Sequence, residues 1–116
     1  MTKFTFFKRD GVYFGFRETG HTGFGDEGDD ILCAAISAMT MLIINAIEVT
    51  YASDIKYDID EKSTDITVTA NGALEQYEPD EKKRFAVSGL IEAYFYQLND
   101  MLEDYYEFLD VEEKEV

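Results

Sequence analysis

From Ile31 to Ile47 the chain is almost unbroken hydrocarbon, interrupted by Ser37, Thr40 and Asn45 and flanked by Asp29, Asp30 and Glu48. A spanning helix wants about 20 apolar residues and cationic anchors on one side. This run has acids at both ends and no basic residue at either. It therefore predicts a core helix over about 30–49 and no membrane contact.

A helix this apolar must be covered, and its flanks supply the cover. Residues 2–8 alternate weakly, Val12, Phe14 and Phe16 clearly, and Asp10-Gly11 between them suits a tight hairpin turn needing positive φ. After the helix the plan returns. Ile55, Tyr57 and Ile59 alternate with Asp54, Lys56, Asp58 and Asp60; Ile66, Val68 and Ala70 alternate with Thr67 and Thr69, and Glu61-Lys62-Ser63 can close that hairpin. A second helix begins near Pro79, with Val87, Leu90, Ile91, Tyr94, Phe95, Leu98, Met101, Leu102 and Tyr105 along one face. The expected fold is α+β with order ββαββα, an antiparallel four-stranded sheet with two helices packed on one face. The halves share a plan and not residues, so no sequence repeat is claimed. A chain of 116 residues has room for one domain, 1–116, and its acids from Asp104 onward predict a frayed, solvated tail from about 110.

Ten basic residues against 25 acidic ones leave a net charge of −15. Such a surface repels phosphate backbones, which excludes direct nucleic-acid binding, and attracts basic proteins, although acidity also serves solubility alone. Cys33 is the single cysteine, so the chain has no intrachain disulfide and no all-cysteine metal site. A lone free thiol suits a reducing compartment, and Met1–Arg9 reads as a strand, not as a secretory signal; the expected location is cytoplasmic.

The chemistry concentrates in residues 20–38. His21, the chain's only histidine, ends a strand and enters a loop with Gly20, Gly23, Gly25 and Gly28; Cys33 follows in the first turn of the expected helix. A thiol needs a base or a positive field to become a nucleophile, and an imidazole and a helix start are the usual sources. A lone cysteine in an apolar helix is also ordinary packing. Cys33, Ser37, Thr40 or Met41, Asn45 and Glu48 form the helix's only polar stripe, which places the thiol where solvent reaches it. Ser37 can equally bond the carbonyl one turn back. Gly23–Gly28 matches G-x-G-x-x-G, yet Asp26, Glu27, Asp29 and Asp30 stand where a pyrophosphate would lie and the preceding strand belongs to a hairpin. Calcium-loop spacing is absent, and one histidine with one cysteine cannot close a zinc site without carboxylates. No metal and no cofactor are expected.

Gly20-His21, then Asp30-Ile-Leu-Cys33-Ala-Ala-Ile-Ser37-Ala, resembles the signature of the ribosomal-processing cysteine protease family, Prp. Length, acidity and element order agree along the whole chain, and residues 20–38 carry the specific part; Thr22 stands where the pattern has alanine. The resemblance implies a cysteine endopeptidase with Cys33 as nucleophile and His21 as general base, Asp30 and Ser37 being further matched positions. It also implies a substrate, the N-terminal extension of a basic ribosomal large-subunit protein, and a homodimer with a mobile loop between His21 and Cys33. Aromatic residues of the last helix, among them Tyr94, Phe95, Tyr96 and Tyr105, suit a dimer contact or plain core. Asp30 reads as a helix cap or as a residue orienting His21. Phe24 reads as a cover for substrate side chains or as a loop anchor, and Gly23, Gly25 and Gly28 let that loop open and close. Amide groups of Leu32–Ala34 are candidate oxyanion donors. The competing reading is a non-enzymatic acidic factor that binds a basic ribosomal protein; it has no need for His21 and Cys33 at this spacing.

Overall fold

The computed structural model describes residues 1–20 and 27–116, with Glu27, Gly28 and Asp29 described by their helical backbone alone. Strands β1 (Thr2–Arg9) and β2 (Val12–Thr19) form the expected hairpin. Its two turn residues, Asp10 and Gly11, take φ of 51° and 78°, the left-handed pair that matches strand twist. Phe6 lies opposite Phe16 and Phe4 opposite Glu18. Between Phe7 and Lys8 the register shifts, so that Gly15 faces Phe7 but Tyr13 faces Lys8. Phe14 is the extra residue of this bulge, and the simple alternation of Val12, Phe14 and Phe16 ends there. As a result Tyr13 joins Phe16 on the covered face, where it meets Phe95.

Helix α1 (Glu27–Asn45) runs on into a π turn, Ala46–Thr50. Asp30–Thr50 is long and apolar enough to cross a membrane by length and composition, with mean hydropathy 2.0. Here Leu32, Ile36, Ile43, Ile44 and Ile47 are buried in the core. Strands β3 (Lys56–Ile59) and β4 (Ile66–Thr69) make the second hairpin. Asp60 closes it by accepting the amides of Lys62 and Ser63 at 2.8 and 3.0 Å. Helix α2 (Glu81–Tyr105) starts two residues beyond Pro79. Asp80, not proline, sets its start by accepting the Lys82 amide at 2.9 Å, a cap worth about 1 kcal/mol. Its Val87, Ile91, Tyr94 and Leu98 are buried. The Tyr94 ring meets Phe4, Phe6 and Phe16 edge-on at 5.6, 5.9 and 5.3 Å, while its hydroxyl bonds to Thr40 and Ile36 of α1. That one side chain ties both helices to the same face of the sheet.

The architecture corrects the expected ββαββα order. A fifth strand, β5 (Leu109–Glu115), follows α2, and the sheet runs β3-β4-β2-β1-β5 with β5 parallel to β1. The sheet is therefore mixed, and the acidic tail is paired, not frayed. Leu109 is buried and Val111 half-buried on the helix-covered face. The acids find cations on β1: Lys3 reaches Glu112 at 3.5 Å and Lys8 reaches Glu113 at 3.1 Å. The Tyr13 hydroxyl also donates to Glu113, and this bond with Lys8 holds that carboxyl below its ordinary range. At the other edge, all of β3 is exposed. Tyr57 and Ile59, which alternate with Lys56 and Asp58, are exposed at this edge strand of the sheet.

Candidate active site

The site begins where β2 ends. Gly20 has φ 76°, and a Cβ there would stand 2.2 Å from the Met1 carbonyl oxygen. Only glycine fits both the left-handed backbone and the contact, so the chain turns off the sheet at a fixed point just before the histidine. His21, Thr22, Gly23, Phe24 and Gly25 lie outside the described residues. Gly28 and Asp30 fall in the first turn of α1.

Because α1 starts at Glu27, three residues before the expected boundary, several local expectations change. Asp29 and Asp30 are inside the helix and cannot be its cap. Asp30 is exposed in the first turn, where a carboxylate still interacts favourably with the helix dipole. Cys33 moves from the first turn to the second. The amides of Leu32–Ala34 lie beyond the helix's unbonded first turn, so they are spent on the helix itself and are not free oxyanion donors.

The polar stripe is also divided. Ser37, Asn45 and Glu48 are exposed. Thr40 is buried instead, 2.7 Å from the Tyr94 hydroxyl, because it shares the sheet-facing side with Leu32 and Ile36. Cys33 sits on that boundary with 7% of its surface exposed. The thiol is thus at the rim of the core, not on an open face. Among the described residues no three His, Cys, Asp or Glu side chains are grouped to hold a metal.

One ionisable residue of this region has no place in the sequence reading. Glu18, opposite Phe4 and Ile66, is 2% exposed. Burial, with Asp65 repelling it, pushes its carboxyl up to about 7. Burial also raises the Tyr94 phenol far above its ordinary range; the Thr40 bond opposes this rise and the Glu18 charge adds to it. A signal was present in the sequence: two residues after Phe16, an inward position is filled by a carboxylic acid.

Two concavities flank this frame. An apolar groove of about 290 Å³ lies between α1 and α2, lined by Met39, Leu42, Ile43, Leu90 and Tyr94. A larger cavity of about 500 Å³, with Arg9 and Arg84 in its wall, opens at the Asp10-Gly11 end of the hairpin, away from Cys33.

The comparisons with known proteins fit this geometry. The crystal structure of SMU.848 from Streptococcus mutans is 28% identical, with a TM-score of 0.81 over 100% of this chain and 99% of that one. The ribosomal processing protease Prp from S. aureus in complex with a substrate peptide superimposes with a TM-score of 0.79 at 18% identity, covering 98% of this chain and 100% of that one. The same protease with a covalently linked product peptide gives 0.77 at 19% identity, with the same coverage. No curated protein sequence matches. The model of the cysteine protease Prp family matches residues 1–110; the chain, with its single thiol at the rim of α1, belongs to that family.

Proposed function

We propose that this chain is a cysteine endopeptidase that removes the N-terminal extension of a basic ribosomal large-subunit protein, with Cys33 as nucleophile and His21 as base. The observation that carries the reading is the frame around the one thiol. Gly20 fixes the point from which the chain leaves for His21, and Cys33 stands at the rim of α1, in a fold shared with a Prp that holds a substrate peptide.

In this mechanism the Cys33 thiolate attacks the scissile carbonyl and the thiol proton passes to His21. The imidazolium then protonates the departing amine, leaving an acyl-enzyme, and the neutral imidazole draws a proton from the water that hydrolyses it. The groove between α1 and α2, beginning within two turns of Cys33, offers apolar side chains of an extended peptide a place to bury. The net charge of −15 draws a basic substrate toward the site. A homodimer would cover apolar side chains such as Ile31 and Met41, which are exposed on α1. The reducing environment that keeps a lone thiol active is the cytoplasm.

The test is incubation of the purified protein with a ribosomal protein carrying its extension, with fragment masses read out. Cleavage at one bond, lost in Cys33→Ala and His21→Ala, supports the reading. Binding without cleavage would favour an acidic escort.

A further inference from the structure

Three arginines occur in the chain, Arg9, Arg17 and Arg84. Arg17 pairs with Asp65 at 3.7 Å. The other two stand in the wall of one cavity of about 500 Å³, and neither meets a carboxylate at ion-pair distance among the described residues. A chain with 25 acidic side chains thus leaves two guanidinium groups unpaired in one concavity, and a guanidinium presents a planar fork of donors matched to an oxyanion.

Both are held in place by other means. The bulge at Phe14 sets an aromatic ring beneath Arg9, whose Cζ lies 5.1 Å from the ring centroid, a contact that orients the cation and spends none of its N–H donors. Arg84 donates from Nη1 to the Glu78 carbonyl at 2.7 Å and keeps its other donors. The backbone around them is closed upon itself: Ala70 donates to the Phe14 carbonyl at 2.7 Å, and Tyr77 and Glu78 donate to the Leu74 carbonyl at 3.1 and 3.0 Å. The cavity is therefore preformed between the hairpin end, the turns that follow β4 and the first turn of α2, which lowers the ordering cost of a ligand.

The rest of the wall selects what it takes. Half-buried Val12 and buried Ala73 and Leu74 give it an apolar side, and exposed Asp10 and Glu75 bring two carboxylates. Positive and negative side chains balance. A phosphate dianion is drawn by the arginines and repelled by the acids, whereas a ligand with one carboxylate, one ammonium and an apolar body finds a partner for each. The volume lies within the roughly 300–1,000 Å³ of small-molecule sites.

We propose that this cavity is a second binding site, one that takes a short peptide with free termini. The carboxylate lies on the Arg9 and Arg84 forks, the ammonium toward Asp10 and Glu75, and an apolar side chain against Val12 and Leu74. The eight residues of β2 separate the site from Gly20 by roughly 25 Å, so it goes beyond the peptidase reading and does not depend on Cys33.

The experiment titrates alanyl-leucine into the isotope-labelled full chain and follows backbone amide shifts by NMR, with alanyl-leucinamide and inorganic phosphate as comparison probes. Saturating shifts centred on residues 9–12 and 73–76, equal in wild type and Cys33→Ala, are the expected result. Arg9→Gln and Arg84→Gln are each expected to weaken binding roughly tenfold, as is amidation of the dipeptide. Arg9→Gln carries the test should Arg84→Gln disturb the start of α2. Phosphate bound as tightly as the dipeptide, equal affinity for the amide, no saturation below roughly 10 mM, or shifts centred on Cys33 would each overturn the proposal.

Discussion

Replacing Glu18 by glutamine is expected to remove a fall in stability between pH 4.5 and about 7, the interval of about 2.5 units by which this one carboxyl is raised. In the folded chain the Glu18 carboxyl holds its proton up to about 7, against an ordinary 4.5. Between those values the folded state keeps a proton that the unfolded state has released. Stability therefore falls as pH rises through the interval; the carboxyl costs nothing below it and its full penalty above it. At about 1.4 kcal/mol per unit, the interval amounts to about 3 kcal/mol for a group this deeply buried. Glutamine keeps the volume and cannot ionise, so this part of the pH dependence vanishes while the other carboxylates contribute equally to both proteins. Urea denaturation of wild type and Glu18→Gln at several pH values reads the difference directly. The gap in unfolding free energy is expected to move by about 3 kcal/mol in favour of the variant from acid to mildly alkaline pH. Parallel curves, with a gap constant to within about 0.5 kcal/mol, would show that Glu18 titrates like a surface carboxylate and refute the argument from burial.

Gly20→Ala forces a Cβ to within 2.2 Å of the Met1 carbonyl oxygen at positive φ; a loss of roughly 1–3 kcal/mol in urea unfolding is expected, with peptidase activity reduced further as the approach to His21 shifts. Ending the chain after Phe108 removes β5, with its buried Leu109, and exposes the edge of β1. Calorimetry is expected to show a loss of roughly 2–4 kcal/mol, and an unchanged Tm would restore the picture of a frayed tail. Raising salt from about 0.05 to 0.5 M is expected to slow cleavage of a full-length basic substrate roughly tenfold while leaving a short neutral peptide nearly unaffected. Equal salt sensitivity would make the charge of −15 incidental to catalysis.

Much of the fold was legible because local signals and the global fold agreed. Asp10-Gly11 makes the hairpin turn it promised, and the apolar series from Val87 to Leu98 is the buried side of α2. Elsewhere, distant partners decided. Leu109–Glu115 looks like a solvated tail until Lys3 and Lys8, at the other end of the chain, supply its cations. The bulge at Phe14 depends on cross-strand register that alternation alone does not contain. At the site, the Gly20-His21 and Asp30-to-Ser37 motifs located the family, but the helix start did not follow from them. Two acids near an expected boundary read as caps, whereas α1 begins at Glu27 and draws Asp30 into its first turn. Glu18 went unread because a charged residue in a strand defaults to the solvent side, although it continues the inward alternation of Phe16; its register opposite Phe4 and Ile66 bears that alternation out.

The claim that the Cys33 sulfur is the reacting atom is open to direct chemical capture. A peptide copying the ribosomal extension and ending in a chloromethyl ketone at the scissile position carries its electrophile to the attacking group, and digestion with mass mapping locates the adduct. Stoichiometric labelling at Cys33, slowed by His21→Ala and blocked by excess substrate peptide, is the predicted result. Labelling elsewhere, or cleavage of the uncapped peptide by Cys33→Ala at the wild-type rate, would contradict it.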